Sequence, residues 1–250
     1  TADATINDLT IGKGANSVSG NTVLGQNALD ASVTGGSNTA IGQNALTALT
    51  SGTNNVAVGK DCMLTNTTGT GNIAIGGFCL KLNTTADNNV AVGRSCMNVN
   101  TTGSNNVAMG FAALDANTTA SNNTAIGSSA LSANTTGTQN VAVGANALDA
   151  NTTASYNTAL GDHALGATTT GGNNVAVGQA ALFYQTTGTN NVGIGKEALH
   201  YNTTADENTA LGFRSLYANT TGTRNVAVGT FSLDAATTAN KNTAIGYNSL

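Results

Sequence analysis

The chain has no proline and no tryptophan in its 250 residues, only 4% aromatic residues and 8% charged ones. The absence of proline means that no backbone N–H is missing, so a hydrogen-bonded ladder can run on without interruption. With so few rings, no wide cross-section can be filled by aromatic packing. The charged fraction is far below the roughly 25% of ordinary soluble domains, so asparagine and threonine carry the polar surface. Eight basic against twelve acidic residues leave a net charge of −4, and this excludes the basic footprint expected for nucleic acid or an anionic membrane. No apolar run approaches the about 18 residues of a membrane-spanning helix, and no signal peptide is recognisable. A disordered chain would be poor in aliphatics, yet Val, Ile and Leu recur here at fixed positions.

That recurrence is the main content of the sequence. A glycine stands every seventeen residues from Gly25 to Gly246, giving fourteen copies of one unit. Counting each repeat glycine as zero, position −4 is Asn in every copy, −3 is Val, Thr or Ile, −2 is nearly always Ala, and −1 is Val, Ile, Leu or Met. Asn55-Val56-Ala57-Val58-Gly59 is the representative structural motif. Small residues follow at +3 and Leu or Met at +4, and the unit closes on Asn-Thr-Thr-Gly or Asn-Thr-Thr-Ala at +7 to +10, which is turn chemistry. No 3.6-residue period fits this spacing, and Thr, Asn, Val and Gly are poor helix formers.

The reading is all-β: a parallel β-solenoid, or β-roll, with seventeen-residue coils, in which each residue stacks on its counterpart about 4.8 Å away. A short strand is expected over −3 to −1, with −3 and −1 on one side, −2 on the other, and −1 and +4 carrying most of the burial. A second short strand is expected near +3 and +4. From Gly25 onward every charged residue falls at +1, +2, +5, +11 or +12, as in Lys60, Asp61, Lys81, Asp87 and Arg224; these columns should face solvent. Residues 1–20 depart from the period and read as an irregular N-terminal strand with a shortened first coil, and residues 21–250 as one continuous solenoid. Leu250 falls in an unfinished coil, so further repeats or a cap are expected to follow. Because each coil offers few large aliphatics, a homo-oligomer, foremost a trimer, is expected, with the small Ala column at −2 letting sister chains approach.

The Asn-Val-Ala-Val-Gly motif resembles the head repeats of trimeric autotransporter adhesins, whose coils carry Asn-Ser-Val-Ala-Ile-Gly in a left-handed parallel β-roll. The chain is more similar still to the repeat shafts of bacteriophage tail fibres. Asn123-Thr124-Ala125-Ile126-Gly127, Ala130-Leu131 and Asn134-Thr135-Thr136-Gly137 carry that likeness, which covers about nine-tenths of the chain. It implies a left-handed trimeric fibre on a virion surface that positions attachment to a host glycan or protein. A bacterial trimeric adhesin head or a self-assembling extracellular filament is the alternative. The adhesin unit is nearer fourteen residues and places its Asn-Ser pair differently, so the tail-fibre likeness leads.

The sequence offers little catalytic chemistry. Cys62, Cys79 and Cys96 all stand at +3, where other coils have Ala or Ser, and read as one ladder of small residues rather than a metal site. His163 and His200 lie in different columns without a nucleophile partner, and the +5 aspartates Asp30, Asp115, Asp149 and Asp234 never occur in adjacent coils. No enzyme, cofactor or metal is expected. Asn66, Asn83 and Asn100 spell glycosylation sequons that the repeat explains as turns. Thr ladders at +8 and +9 raise an ice-binding solenoid as a lesser alternative. The one surface feature beyond the repeat is aromatic: Phe183, Tyr184, His200, Tyr201 and Tyr217 fall at +5 and +6 of three successive coils, a candidate glycan-contact strip.

Overall fold

The computed structural model describes residues 3–250, which divide into two compact units, one ending at Asn123 and the other running from Thr124 to Leu250. Both are built from the same seventeen-residue coil, and both are parallel β-solenoids. In the first unit, β1 (Ala4–Ile6) and β2 (Leu9–Gly12) form an antiparallel hairpin, and β2 pairs antiparallel with β3 (Thr22–Gly25). The hairpin turns at Asn7 and Asp8, both with positive φ, the conformation that two-residue hairpin loops require. Asp3 fastens its far side, accepting hydrogen bonds from the N–H groups of Lys13 and Gly14 at 2.7 and 2.6 Å. A hairpin therefore stands where the sequence suggested a shortened coil.

From β3 onward the pairing turns parallel and in register. Thr39–Ile41, Val56–Val58, Ile73–Ile75, Val90–Val92 and Val107–Met109 follow as one strand per coil, with Val56 opposite Ile73 and Ala57 opposite Ala74. The second unit repeats the arrangement from Thr124–Ile126 to Thr243–Ile245, with Val175 opposite Val192 and Thr209 opposite Val226.

The strand faces the opposite way from the sequence expectation. Ala57 at −2 is fully buried, as are Ala40, Ala74, Ala91, Ala142 and Ala176, whereas Val56 and Val58 are half-buried and point outward. At −1, Ile75, Met109, Ile126 and Leu211 are 37–45% exposed, so this column does not share the burial with +4. The reason is size. The large side chain inside each coil is the +4 Leu or Met, such as Leu46, Met63 or Leu80, all at 0% exposure, and little room is left opposite it. In the copy where −2 is glycine, a Cβ added at Gly193 would stand 3.2 Å from Leu182 Cγ. A β-branched residue at Gly193 would overpack that coil; the first coil, next to the hairpin, is the exception and holds Val23 at −2 with 2% exposure.

The rest of the interior is polar. The −4 asparagines are buried in a continuous column within each unit, save the last, Asn242, which is half-buried. Asn55 Oδ1 accepts from the backbone N–H and the side-chain amide of Asn72 at 3.0 and 3.2 Å, while Asn55 Nδ2 donates to the carbonyl of Gly69 at 2.8 Å. Asn174 does the same with Asn191 and Gly188. Each amide thus satisfies buried backbone groups that the short strand leaves unpaired.

No second strand forms at +3 and +4 among the described residues. Residues at +2 and +4 take left-handed conformations, as at Asp61 (φ 53°) and Met63 (φ 47°), Glu197 (57°) and Leu199 (53°). The tract hydrogen-bonds alternately to its two neighbouring coils: Asp61 N–H to the Gln43 carbonyl, Met63 N–H to that of Cys79. A left-handed leucine is uncommon and strained, but burial of its side chain holds it. The repeat glycine is fixed on two counts. Gly59 has φ 138°, and a Cβ there would lie 2.5 Å from the carbonyl oxygen of Gly76.

Candidate functional site

The charges at +1 and +12 face solvent as the sequence expected, whereas those at +2 and most at +5 are half-buried, and burial raises the Asp115 and Asp149 carboxyls above their ordinary range. Lys60, Asp87 and Arg224 are exposed and Asp61 and Lys81 half-buried. Opposite charges meet across successive coils, with Arg214 Nε 2.6 Å from Glu197 Oε2 and Arg224 Nε 2.5 Å from Glu207 Oε2. The hydrogen bond from Arg214 holds the Glu197 carboxyl below its ordinary range. Cys62, Cys79 and Cys96 are free and fully buried. The neighbouring thiol first, then burial, pushes the Cys79 and Cys96 thiols well above the usual cysteine range, so they are not poised as nucleophiles. Among the described residues no cluster of His, Cys, Asp and Glu has the arrangement of a metal site, and no helix is long and apolar enough to cross a membrane. The sequon asparagines Asn66, Asn83 and Asn100 are buried, their amides bonded along the coil.

The aromatic residues do come together, within the second unit. They lie on the left-handed tracts that follow Gly178, Gly195 and Gly212, and the coil stacking lines them up in two columns. At +5, Phe183 stacks on His200 (5.6 Å between ring centroids, 13° between planes) and His200 on Tyr217 (5.4 Å, 7°). At +6, Tyr184 stacks on Tyr201 (5.2 Å, 5°). Between the columns the rings meet edge to face, as Phe183 with Tyr184 at 4.7 Å and 82°. The +6 rings are exposed, Tyr184 by 43% and Tyr201 by 41%, and the +5 rings are half-buried. Arg214 lies 4.8 Å from the centroid of Tyr217, a cation–π contact at the far end. The Tyr201 phenol, and secondarily burial, raises the Tyr217 hydroxyl above its ordinary pKa.

Beside this ladder a shallow, open hollow of about 340 Å³ is lined by Asp162, His163, Gln179, Ala180, Phe183, Tyr184 and His200. Its origin is a single small residue. The +2 column runs His163, Ala180, Glu197, and Ala180 leaves a gap between two larger neighbours. The two histidines have fixed roles. His200 Nδ1 donates to the Ala180 carbonyl at 3.1 Å, since a carbonyl only accepts. His163 Nδ1 stands 3.0 Å from Asp162 Oδ1, and its Nε2 3.4 Å from Asn146 Nδ2, which suits a proton on Nδ1.

The sequence pointed to the ladder but not to the hollow, because Asp162, Gln179 and Ala180 carry no signal until the coils are stacked. It also passed over a second aromatic group at +1 and +2. Phe213 meets Phe231 edge to face at 5.3 Å, Phe231 meets Tyr247 at 6.2 Å, and Arg214 lies 5.3 Å from the Phe213 ring. Reading +1 and +2 together would have found it. Compared with protein-family models, curated proteins and solved structures, the chain gives no match.

Proposed function

We propose that the chain is the shaft of a trimeric phage tail fibre, left-handed in its coiling, that positions host-surface attachment from the virion surface. The observation that carries this reading is the outward side of the strands. Positions −3 and −1 present Val, Ile, Thr, Leu and Met along each unit, half-buried to exposed and free of any charged residue from coil to coil. Ile73 and Ile75 are 38% and 41% exposed, Ile194 37% and Leu211 45%. A long aliphatic strip bounded by polar columns is the surface expected to pack against sister chains. The expected small-residue interface is thereby revised, because the Ala column lies inside the coil and the branched aliphatics are what a sister chain would meet.

Sedimentation equilibrium tests the assembly. The chain should run as a trimer at micromolar concentration, and the pair Val175→Lys, Val177→Lys should shift it toward monomer with the β-rich circular dichroism retained, since both side chains point outward. A monodisperse monomer of the unaltered chain would overturn the reading. Open-ended filaments under the electron microscope would favour the self-assembling alternative instead.

A further inference from the structure

The hollow beside the aromatic ladder has a chemistry that the shaft reading does not use. Within a column each ring covers the face of the next, so only a ring that ends its column offers a free face. Each column ends twice, at Tyr217 and Tyr201 before Asp234 and Ala218, and at Phe183 and Tyr184 after Gly166 and Ala167; the second pair borders the hollow, where Tyr184 is 43% exposed and the His163 ring lies tilted 5.8 Å from Phe183. Gly166 also makes room for Phe183: a Cβ there would lie 2.9 Å from its ring. Around these rings stand groups that both donate and accept. Asp162 Oδ1 is occupied by His163 while Oδ2 has no protein partner among the described residues, and the exposed Gln179 side-chain amide has none either. An aromatic face flanked by a carboxylate and a primary amide matches the two sides of a sugar ring, its C–H face and its hydroxyl edge. The volume sits at the lower end of the about 300–1,000 Å³ usual for small-molecule sites, enough for one ring and not for a large ligand.

We propose that this hollow is a subsite for one neutral pyranose unit of a surface glycan, seated against Phe183 and Tyr184 with Asp162 and Gln179 bonding its hydroxyls. Anionic sugars are disfavoured. The lining includes the Asp162 carboxylate and neither Lys nor Arg, so a sialic or uronic acid would bring like charge against like without compensation. The proposal rests on the attachment reading only in supposing that the shaft lies against glycan-bearing surfaces.

The test is saturation-transfer NMR on the full chain with neutral oligosaccharides (glucan, mannan and galactan fragments) and a sialylated one, each at about 5 mM, where the millimolar affinity of a shallow site is readable. Transfer from the aromatic protons to ring protons of a neutral sugar is expected. Ala180→Phe should abolish it while keeping every aromatic ring, because other coils carry Phe78 and Phe231 at the same +2 position. Tyr184→Ala and Asp162→Ala should each weaken it by roughly tenfold, with Phe213→Ala, outside the lining, unchanged. No transfer to any neutral sugar, transfer only to the sialylated one, or transfer undiminished in Ala180→Phe would overturn the proposal. Loss of sugar binding from a chain that still sediments as a trimer would leave the shaft reading standing, whereas a monomer that binds sugar would sink the shaft and keep the subsite.

Discussion

Two asparagine columns run inside the coils, and they are not equivalent. The −4 column is Asn in every repeat, while the +7 column gives way to Ser32, Leu49, Thr168, Gln185 and Ala236. Both are buried, and both bond to the same +10 carbonyl: Gly69 O accepts from Asn55 Nδ2 at 2.8 Å and from Asn66 Nδ2 at 3.1 Å. The difference lies in the oxygen. Asn55 Oδ1 takes the backbone N–H of Asn72, which has no alternative acceptor, whereas a +7 oxygen takes only the amide of the next +7 residue, as Asn66 Oδ1 takes Asn83 Nδ2 at 2.8 Å. Asn83 Nδ2 also reaches Ala86 O. A column that serves the backbone is fixed by it, and one that serves mainly itself can be broken.

The sharpest way to probe the first column is Asn55→Asp. It keeps an acceptor for the Asn72 N–H but replaces the amide donor with an oxygen aimed at the Gly69 carbonyl, in a buried site. Desolvation and the facing carbonyl both raise the folded-state pKa of the introduced carboxyl above its unfolded value. The stability it retains is therefore present below the unfolded pKa near 4 and lost as pH rises through the folded pKa. A loss on the order of 4 kcal/mol at pH 7, and a much smaller one at pH 3, is expected from guanidinium unfolding at the two pH values. Equal losses at both would show that the column does not depend on the donor.

A matched pair then sets the two columns against each other. Asn55→Leu leaves the Asn72 N–H buried without a partner and should cost about 3 kcal/mol. Asn66→Leu orphans no backbone group, since Gly69 O keeps Asn55 and Asn83 keeps Ala86, and Leu49 already occupies the +7 column one coil earlier at 0% exposure. It should cost about 1 kcal/mol or less. Similar costs would erase the distinction between the columns.

How much of this was legible beforehand depends on what each column encodes. The coil length, the parallel stacking, the turn at Asn-Thr-Thr and the solvent columns all follow from a strict period, because stacking in register forces each column to have one environment. The direction of the strand did not follow. Alternation in Val56-Ala57-Val58 shows that two sides exist, and hydrophobicity alone would put valine inside; what decides is the space left beside Met63, which only three-dimensional packing reveals. A sequence signal was present even so, since −2 admits glycine at Gly193 while −3 admits threonine, a pattern of limited room inside and polarity tolerated outside. The left-handed residues at +2 do leave a trace, in Asn27, Asn44, Asp61, Asn146 and Asn248, types that accept positive φ; those at +4 leave none, because positions such as Leu199 are held by burial rather than by intrinsic preference. In the candidate site the rings were visible as a +5 and +6 run, but the hollow depends on a missing side chain at Ala180, and one alanine among many gives no warning.

The coils that carry the hollow are also the coils in which the +7 column fails, and the smallest expected effect tests what that failure costs. Asn151 is the last asparagine before the break. Its Oδ1 should accept an amide from the next coil, but Thr168 stands there, and neither Asn151 Oδ1 nor Thr168 Oγ1 has a hydrogen-bond partner. Asn219 Oδ1, which faces Ala236 in the next coil, is left in the same state. At the other side of the break the column resumes, with Gln185 Oε1 accepting from Asn202 at 3.1 Å. Thr168→Asn would give Asn151 its donor and supply a second bond to the Gly171 carbonyl, following the pattern of Asn151 to Ala154 at 3.1 Å. A gain of about 1 kcal/mol, seen as a higher guanidinium midpoint at unchanged slope, is expected from satisfying the orphaned oxygen. If the midpoint instead falls, the buried site needs threonine for its own packing, and the interruption is a requirement of this coil rather than tolerance of the column.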